Sequence, residues 1–83
     1  MAILLDTQVL IWLEENPTNI PLKTRNLIFK TPDIYFSDVS VWEMAIKIKT
    51  EKLFLNQPLK TFINNLRNDY QFKLLSISTH HIF

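Results

Sequence analysis

Ala2-Ile3-Leu4-Leu5 is an unbroken apolar run that ends abruptly in a carboxylate, Asp6. Continuous rather than alternating hydrophobicity over so short a stretch predicts a strand buried in a parallel sheet. Asp6 then suits the N-cap of a helix over about 7–14, which Asn16-Pro17 terminates. Pro21 favours the first turn of a second helix running to about Lys30, with Leu22, Leu27 and Ile28 as its apolar set. Thr31-Pro32-Asp33 reads as a turn, and Ile34-Tyr35-Phe36 as a short strand of β-favouring residues. A third helix over roughly 39–49 would turn Val41, Trp42, Ala45, Ile46 and Ile48 mostly inward. Pro58 starts a fourth, in which Leu59, Phe62, Ile63 and Leu66 recur at i, i+3, i+4 and i+7. Asn68-Asp69 breaks it, a third strand follows over 72–77, and Ser78-Thr79 suits the cap of one more helix.

Strand, helix, helix, strand, helix, helix, strand is the order of an α/β domain with a parallel sheet. Right-handed crossovers are expected to place the helices on the two faces of that sheet, giving three layers. In such sheets the functional crevice lies beyond the carboxyl ends of the strands. Asp6 falls there directly, and Glu43, early on the helix after the second strand, is expected to approach the same edge.

Composition narrows the class. With 83 residues, 47% apolar and 20% charged, the chain reads as one small globular domain, expected in the cytoplasm. A formal charge of +1 carries no broad basic face; one mild cluster, Lys47, Lys49 and Lys52, serves equally as an RNA-steering patch or a solvated helix end. The longest apolar run is far shorter than a membrane span requires, and the N-terminus lacks the pattern of a signal peptide. Cysteine is absent, which excludes disulfides and thiolate metal sites, and glycine is absent too, so turns must use Asn, Asp, Pro or Lys.

Two readings of the acids stand side by side. Converging carboxylates at a strand-end crevice suit a hard cation such as Mg²⁺, which polarises a phosphoryl oxygen and lowers the pKa of a bound water. Alternatively, Asp6 is only a cap. Ser40-Val41-Trp42-Glu43 then forms a capping box, and Glu43 pairs with Lys47 at i, i+4. His80-His81 has the wrong geometry for a shared metal, since adjacent side chains diverge. Trp12 and Trp42 offer surfaces for base stacking, but each lies in an apolar helical stripe that points to core packing.

The motifs themselves carry a resemblance. Leu4-Leu5-Asp6-Thr7-Gln8, with Leu10, Ile11 and Trp12, is followed by Ser37, Ser40, Trp42, Glu43, Ala45, Ile46 and Lys47. Together they resemble the N-terminal part of a PIN domain, and more narrowly the VapC-type toxins of type II toxin–antitoxin pairs. Those toxins begin L-L-D-T-H-x-L-L-W and carry S-x-x-S-x-W-E-I-A-I-K at the second acid. Lys52-Leu53 and the segment QFKLLSIST are similar to later family elements, so the likeness runs along nearly the whole chain.

The resemblance implies a PIN-like α/β/α fold and a Mg²⁺- or Mn²⁺-dependent endoribonuclease acting on RNA. A cognate antitoxin would hold it inactive, and a homodimer is among the assemblies it allows. Asp6 and Glu43 would be the first two acids of the metal site, Thr7 would support Asp6, and Ser37 would line the crevice. Trp12 and Trp42 would lie on the antitoxin-binding helices. The family pattern also has a third and a fourth acid beyond the third strand, which this sequence does not reach. The expectation is therefore a truncated domain of three strands, with Ile3 and Leu5 partly uncovered at its edge. Its rival is a non-catalytic remnant that keeps only protein binding. Gln8 replaces the family's His, and Thr50-Glu51 its Gly, so that turn is expected to take another form.

Overall fold

The structure, a computed structural model, describes residues 2–76. Strand β1 spans Ala2–Leu4, β2 Asp33–Ser37 and β3 Lys73–Leu75; helices α1 (Thr7–Glu15) and α2 (Leu22–Lys30) join the first two, and α3 (Asp38–Lys49) and α4 (Leu59–Asn68) the last two. A single 3₁₀ turn, Pro17–Asn19, links α1 to α2. The small α/β domain with a parallel sheet is the class the sequence predicts. The readings of Ser78-Thr79 and His80-His81 lie outside the described residues.

Local chemistry accounts for the boundaries. Asp6 caps α1 by accepting a hydrogen bond from the Val9 amide, and Asn16 closes the helix by returning its N–H to the Trp12 carbonyl. Pro21 and Pro58 each stand immediately before a helix, with φ of −53° and −57° already suited to the turn. Ser37 caps α3 by accepting from the Ser40 amide. The start is therefore not the Ser40–Glu43 capping box: Ser40 sits one turn inside the helix, too late for Glu43 to reach a free terminal amide.

After α3, Glu51 takes the left-handed conformation (φ 60°), with Lys52 N–H on the Lys47 carbonyl at 2.8 Å and Glu51 N–H on Ile48 at 3.1 Å. This is the closing turn glycine usually serves, formed without glycine. The expectation of a different turn form does not hold; the backbone keeps the shape at the expense of a strained residue.

The sheet order is β1-β2-β3, all parallel, with Ile3 opposite Ile34, Leu4 opposite Tyr35, Phe36 opposite Leu74 and Ser37 opposite Leu75. Each crossover advances in the same direction, so two right-handed crossovers stack their helices on the same face. Burial agrees. Leu5, Ile34 and Phe36 on one face join Leu10, Leu13, Met44, Phe62 and Leu66 in a single core, whereas Ala2, Leu4, Lys73 and Leu75 on the other are exposed. Within the described residues there are thus two layers, not the expected three, because helices reach both faces only where strand order reverses.

β1 does form an edge, with Ile3 half-buried, but Leu5 is covered; it lies past the strand, in the core, and Leu4 is the exposed neighbour. Two helical stripes also differ from expectation. On α2 only Ile28 of the predicted set is buried, while Leu22 and Leu27 are exposed. On α3 the inward positions are Ser40 and Met44, flanked by half-buried Val41 and Ile48, and Trp42 is 67% exposed. An apolar residue count cannot orient a helix whose outward face is also apolar. On α4 the polar and apolar faces are distinct, and Phe62 and Leu66 are buried as predicted.

Candidate functional site

The parallel sheet sends every strand toward one edge, and that edge gathers the polar side chains the sequence singles out. β1 ends at Leu4, its hydrogen-bonded path extending to Leu5, whose amide donates to the Tyr35 carbonyl at 2.9 Å. Asp6 follows at once and begins α1. Its Oδ1 accepts from the Val9 amide at 2.9 Å, so the cap is real, and its side chain remains at the surface. Capping one amide does not exhaust a carboxylate, which has about four lone-pair positions.

Next to it, the Thr7 hydroxyl lies 2.9 Å from the Ser40 hydroxyl, joining the start of α1 to the first turns of α3 across 33 residues of sequence. Ser40 is buried and is held in turn by Ser37, whose Oγ accepts the Ser40 amide at 3.1 Å and lies 3.5 Å from its hydroxyl. Ser37 is likewise buried. It serves this edge as the α3 cap.

One turn further along α3, Glu43 is exposed, yet its carboxyl sits below the usual glutamate range. Hydrogen bonding from Thr7 is the main cause, followed by the charge of Lys47, whose Nζ is 3.5 Å from the carboxylate. A hydroxyl carries one proton, so when Thr7 donates to Glu43 its oxygen accepts from Ser40. Thr7 thus stands beside the second acid, Glu43. The i, i+4 pairing with Lys47 is as the sequence predicts. Both motif segments, the one bearing Asp6 and the one bearing Glu43, are thus tied together by Thr7 and Ser40.

Asp38 is a residue the sequence reading passed over. It is the first residue of α3, directly after β2, and its Oδ2 accepts from the Ser76 hydroxyl at 3.2 Å, linking the ends of β2 and β3. The signal was available: an acid immediately after a β-favouring run has the same placement as Asp6 after β1. Trp12, by contrast with Trp42, is half-buried and packed against the core, as the core reading of it predicts. Trp42 flanks Glu43 on the outward side, where Val39, Ile46, Thr50 and Lys52 help to line a surface cavity of about 490 Å³. Lys52 thus lies near Glu43, and Lys47 is paired to it.

The acids that the sequence singles out at this edge, Asp6 and Glu43, stand beside hydroxyls, so the donors they offer are oxygen. Such hard ligands fit Mg²⁺ or Mn²⁺ that keeps several waters. They do not form a closed cage, since no cluster of three or more His, Cys, Asp or Glu suited to a metal occurs among the described residues. Among those residues, too, no helix is long and apolar enough to cross a membrane. No protein-family model, no curated protein and no solved structure matches the chain.

Proposed function

We propose that this chain carries the first part of a PIN-like, VapC-type nuclease site, in which Asp6 and Glu43 help to hold Mg²⁺ for hydrolysis of RNA phosphodiester bonds. The observation that supports this reading most is the Thr7–Ser40 hydrogen bond. It couples the segments after β1 and β2 that bear the two acids, using residues from both motifs of the resemblance. A metal bound there would supply Lewis-acid polarisation of a phosphoryl oxygen and a more acidic water. Asp6 and Glu43 would anchor it, Thr7 would fix the Glu43 carboxylate in its ionised form, and Ser37 would hold Ser40 in place for Thr7. Two carboxylates suffice for one largely hydrated cation, so the affinity expected of these residues is modest. The sheet face left exposed among the described residues is where the further layer of a PIN-like domain would pack.

The test is cleavage of a fluorescent single-stranded RNA with Mg²⁺, and with EDTA in its place. EDTA-sensitive cleavage that falls about 100-fold or more in Asp6→Asn and in Glu43→Gln supports the reading. Cleavage unchanged in Asp6→Asn overturns it.

A second reading, a protein-binding module without catalysis, is favoured by the outward face of α3. Trp42, Val39 and Ile46 are all exposed there, beside the charged pair Glu43–Lys47. Aromatic anchors rimmed by charge are typical of binding surfaces. A cognate antitoxin is the partner this reading names. Capture of that small protein by the wild type but not by Trp42→Ala, with no EDTA-sensitive cleavage, would favour it over the nuclease.

A further inference from the structure

Away from the carboxylate edge, at the end of α1, Glu14 is a half-buried acid with one oxygen in an unfavourable place. Its Oε2 is shut off from solvent and has no hydrogen-bond partner. The side chain sits at the contact between α1 and α4, where Asn65 of α4 and Gln57 of the preceding loop reach it, and Asn65 Nδ2 also donates to Gln57 Oε1 at 3.2 Å. The neighbouring Glu15 fastens the same loop by accepting from the Asn56 amide at 2.8 Å. The charges facing Glu14 are Glu15 on its own helix and Asp69 just after α4, both acidic, and Tyr70 lies beside them. An ionised carboxylate in that position keeps a buried oxygen unpaired and faces charges of its own sign, whereas a protonated one faces neither cost in full.

We infer that Glu14, with one carboxylate oxygen buried and unpaired where α1 meets α4, makes this contact a pH-sensitive joint that weakens when the group ionises. Burial, with smaller contributions from Glu15 and Asp69, outweighs the hydrogen bonds from Asn65 and Gln57 and moves the Glu14 carboxyl above its usual range. The sign follows. At low pH the folded and unfolded chains both carry the proton. As pH rises the unfolded chain loses it first, so stability falls through the interval up to the folded pKa and stays lower above it.

Denaturation of the wild type and Glu14→Gln at about pH 5 and about pH 8 tests the joint, because the difference between the two proteins removes the titrating groups that do not face Glu14. The unfolding constant at the higher pH should be at least about twofold smaller in Glu14→Gln than in the wild type, with the advantage shrinking at the lower pH. An equal pH dependence in the two proteins overturns the inference. Carboxyl ¹³C titration of Glu14 in the wild type needs no variant: a midpoint above the usual glutamate range agrees, and one at or below it overturns the inference. Neither readout depends on nuclease activity.

Discussion

At the scale of single residues, the most informative group is the Thr7 hydroxyl. It touches Ser40 at 2.9 Å and, by hydrogen bonding, helps keep the Glu43 carboxyl below its usual range. Thr7→Val keeps the shape and removes the hydroxyl. The Glu43 titration midpoint should then rise toward the ordinary glutamate value, which carboxyl ¹³C NMR reads directly. The Ser40 hydroxyl loses its shorter hydrogen bond in the same variant and keeps only Ser37 at 3.5 Å, so a stability loss of about 1 kcal/mol is expected in urea denaturation. Because the folded pKa of Glu43 is depressed, its contribution to stability is present above the usual glutamate range and disappears as pH falls through the lowered value. Glu51 makes the opposite case. Its left-handed backbone (φ 60°) is one that glycine adopts freely, so Glu51→Gly should stabilise the fold by roughly 0.5–1 kcal/mol in the same assay.

At the scale of elements, α1 separates two roles that coincide in Asp6. Asn caps a helix about as well as Asp, whereas Ala does not. Asp6→Asn should therefore unfold within about 0.5 kcal/mol of the wild type, and Asp6→Ala about 1 kcal/mol sooner, as chemical denaturation will show. Any loss of metal binding or cleavage in Asp6→Asn would then reflect charge, not folding.

The elements themselves were largely legible in the sequence, because Pro17, Pro21 and Pro58 and the capping side chain of Asp6 mark boundaries by local rules. Orientation was not. On α4 apolar residues fall on one face only, so periodicity alone placed Phe62 and Leu66 inside. On α3 apolar residues surround the helix, and only packing decides that Met44 and Ser40 face inward while Trp42 faces out. The capping box was misplaced for a related reason: Ser37 and Ser40 both suit a cap, and the end of β2 at Ser37 settles the matter. The partner of Thr7 was hidden as well, because a contact spanning 33 residues has no local signature.

At the scale of the whole molecule, one core supports the sheet, which among the described residues is covered on a single face. Phe36, on β2, is fully buried and joins the core that holds helices of both crossovers against the sheet. Phe36→Ala should cost about 3–5 kcal/mol, a large share of the stability of a domain this small, and thermal unfolding will register it as a steep drop or loss of the folded state. Trp42→Ala, on the outward side of α3, should change stability by less than about 0.5 kcal/mol, since its side chain is mostly in solvent. The two layers were misread as three because the sequence order of elements does not reveal whether strand order reverses. What did follow from the sequence was the placement of Asp6 at a carboxyl-terminal strand end, since an apolar strand-forming run that stops at an acid puts the acid just past the strand.

Asp6 and Glu43 are proposed to act on one cation, and Mg²⁺ titration followed at the side-chain carboxyls by ¹³C NMR addresses that directly. Asp6 and Glu43 should shift together along one binding curve, while Asp33, paired with Lys73 at 3.1 Å near the opposite end of β2, stays unmoved. Shifts absent from both acids, or following separate curves, would contradict a shared metal site.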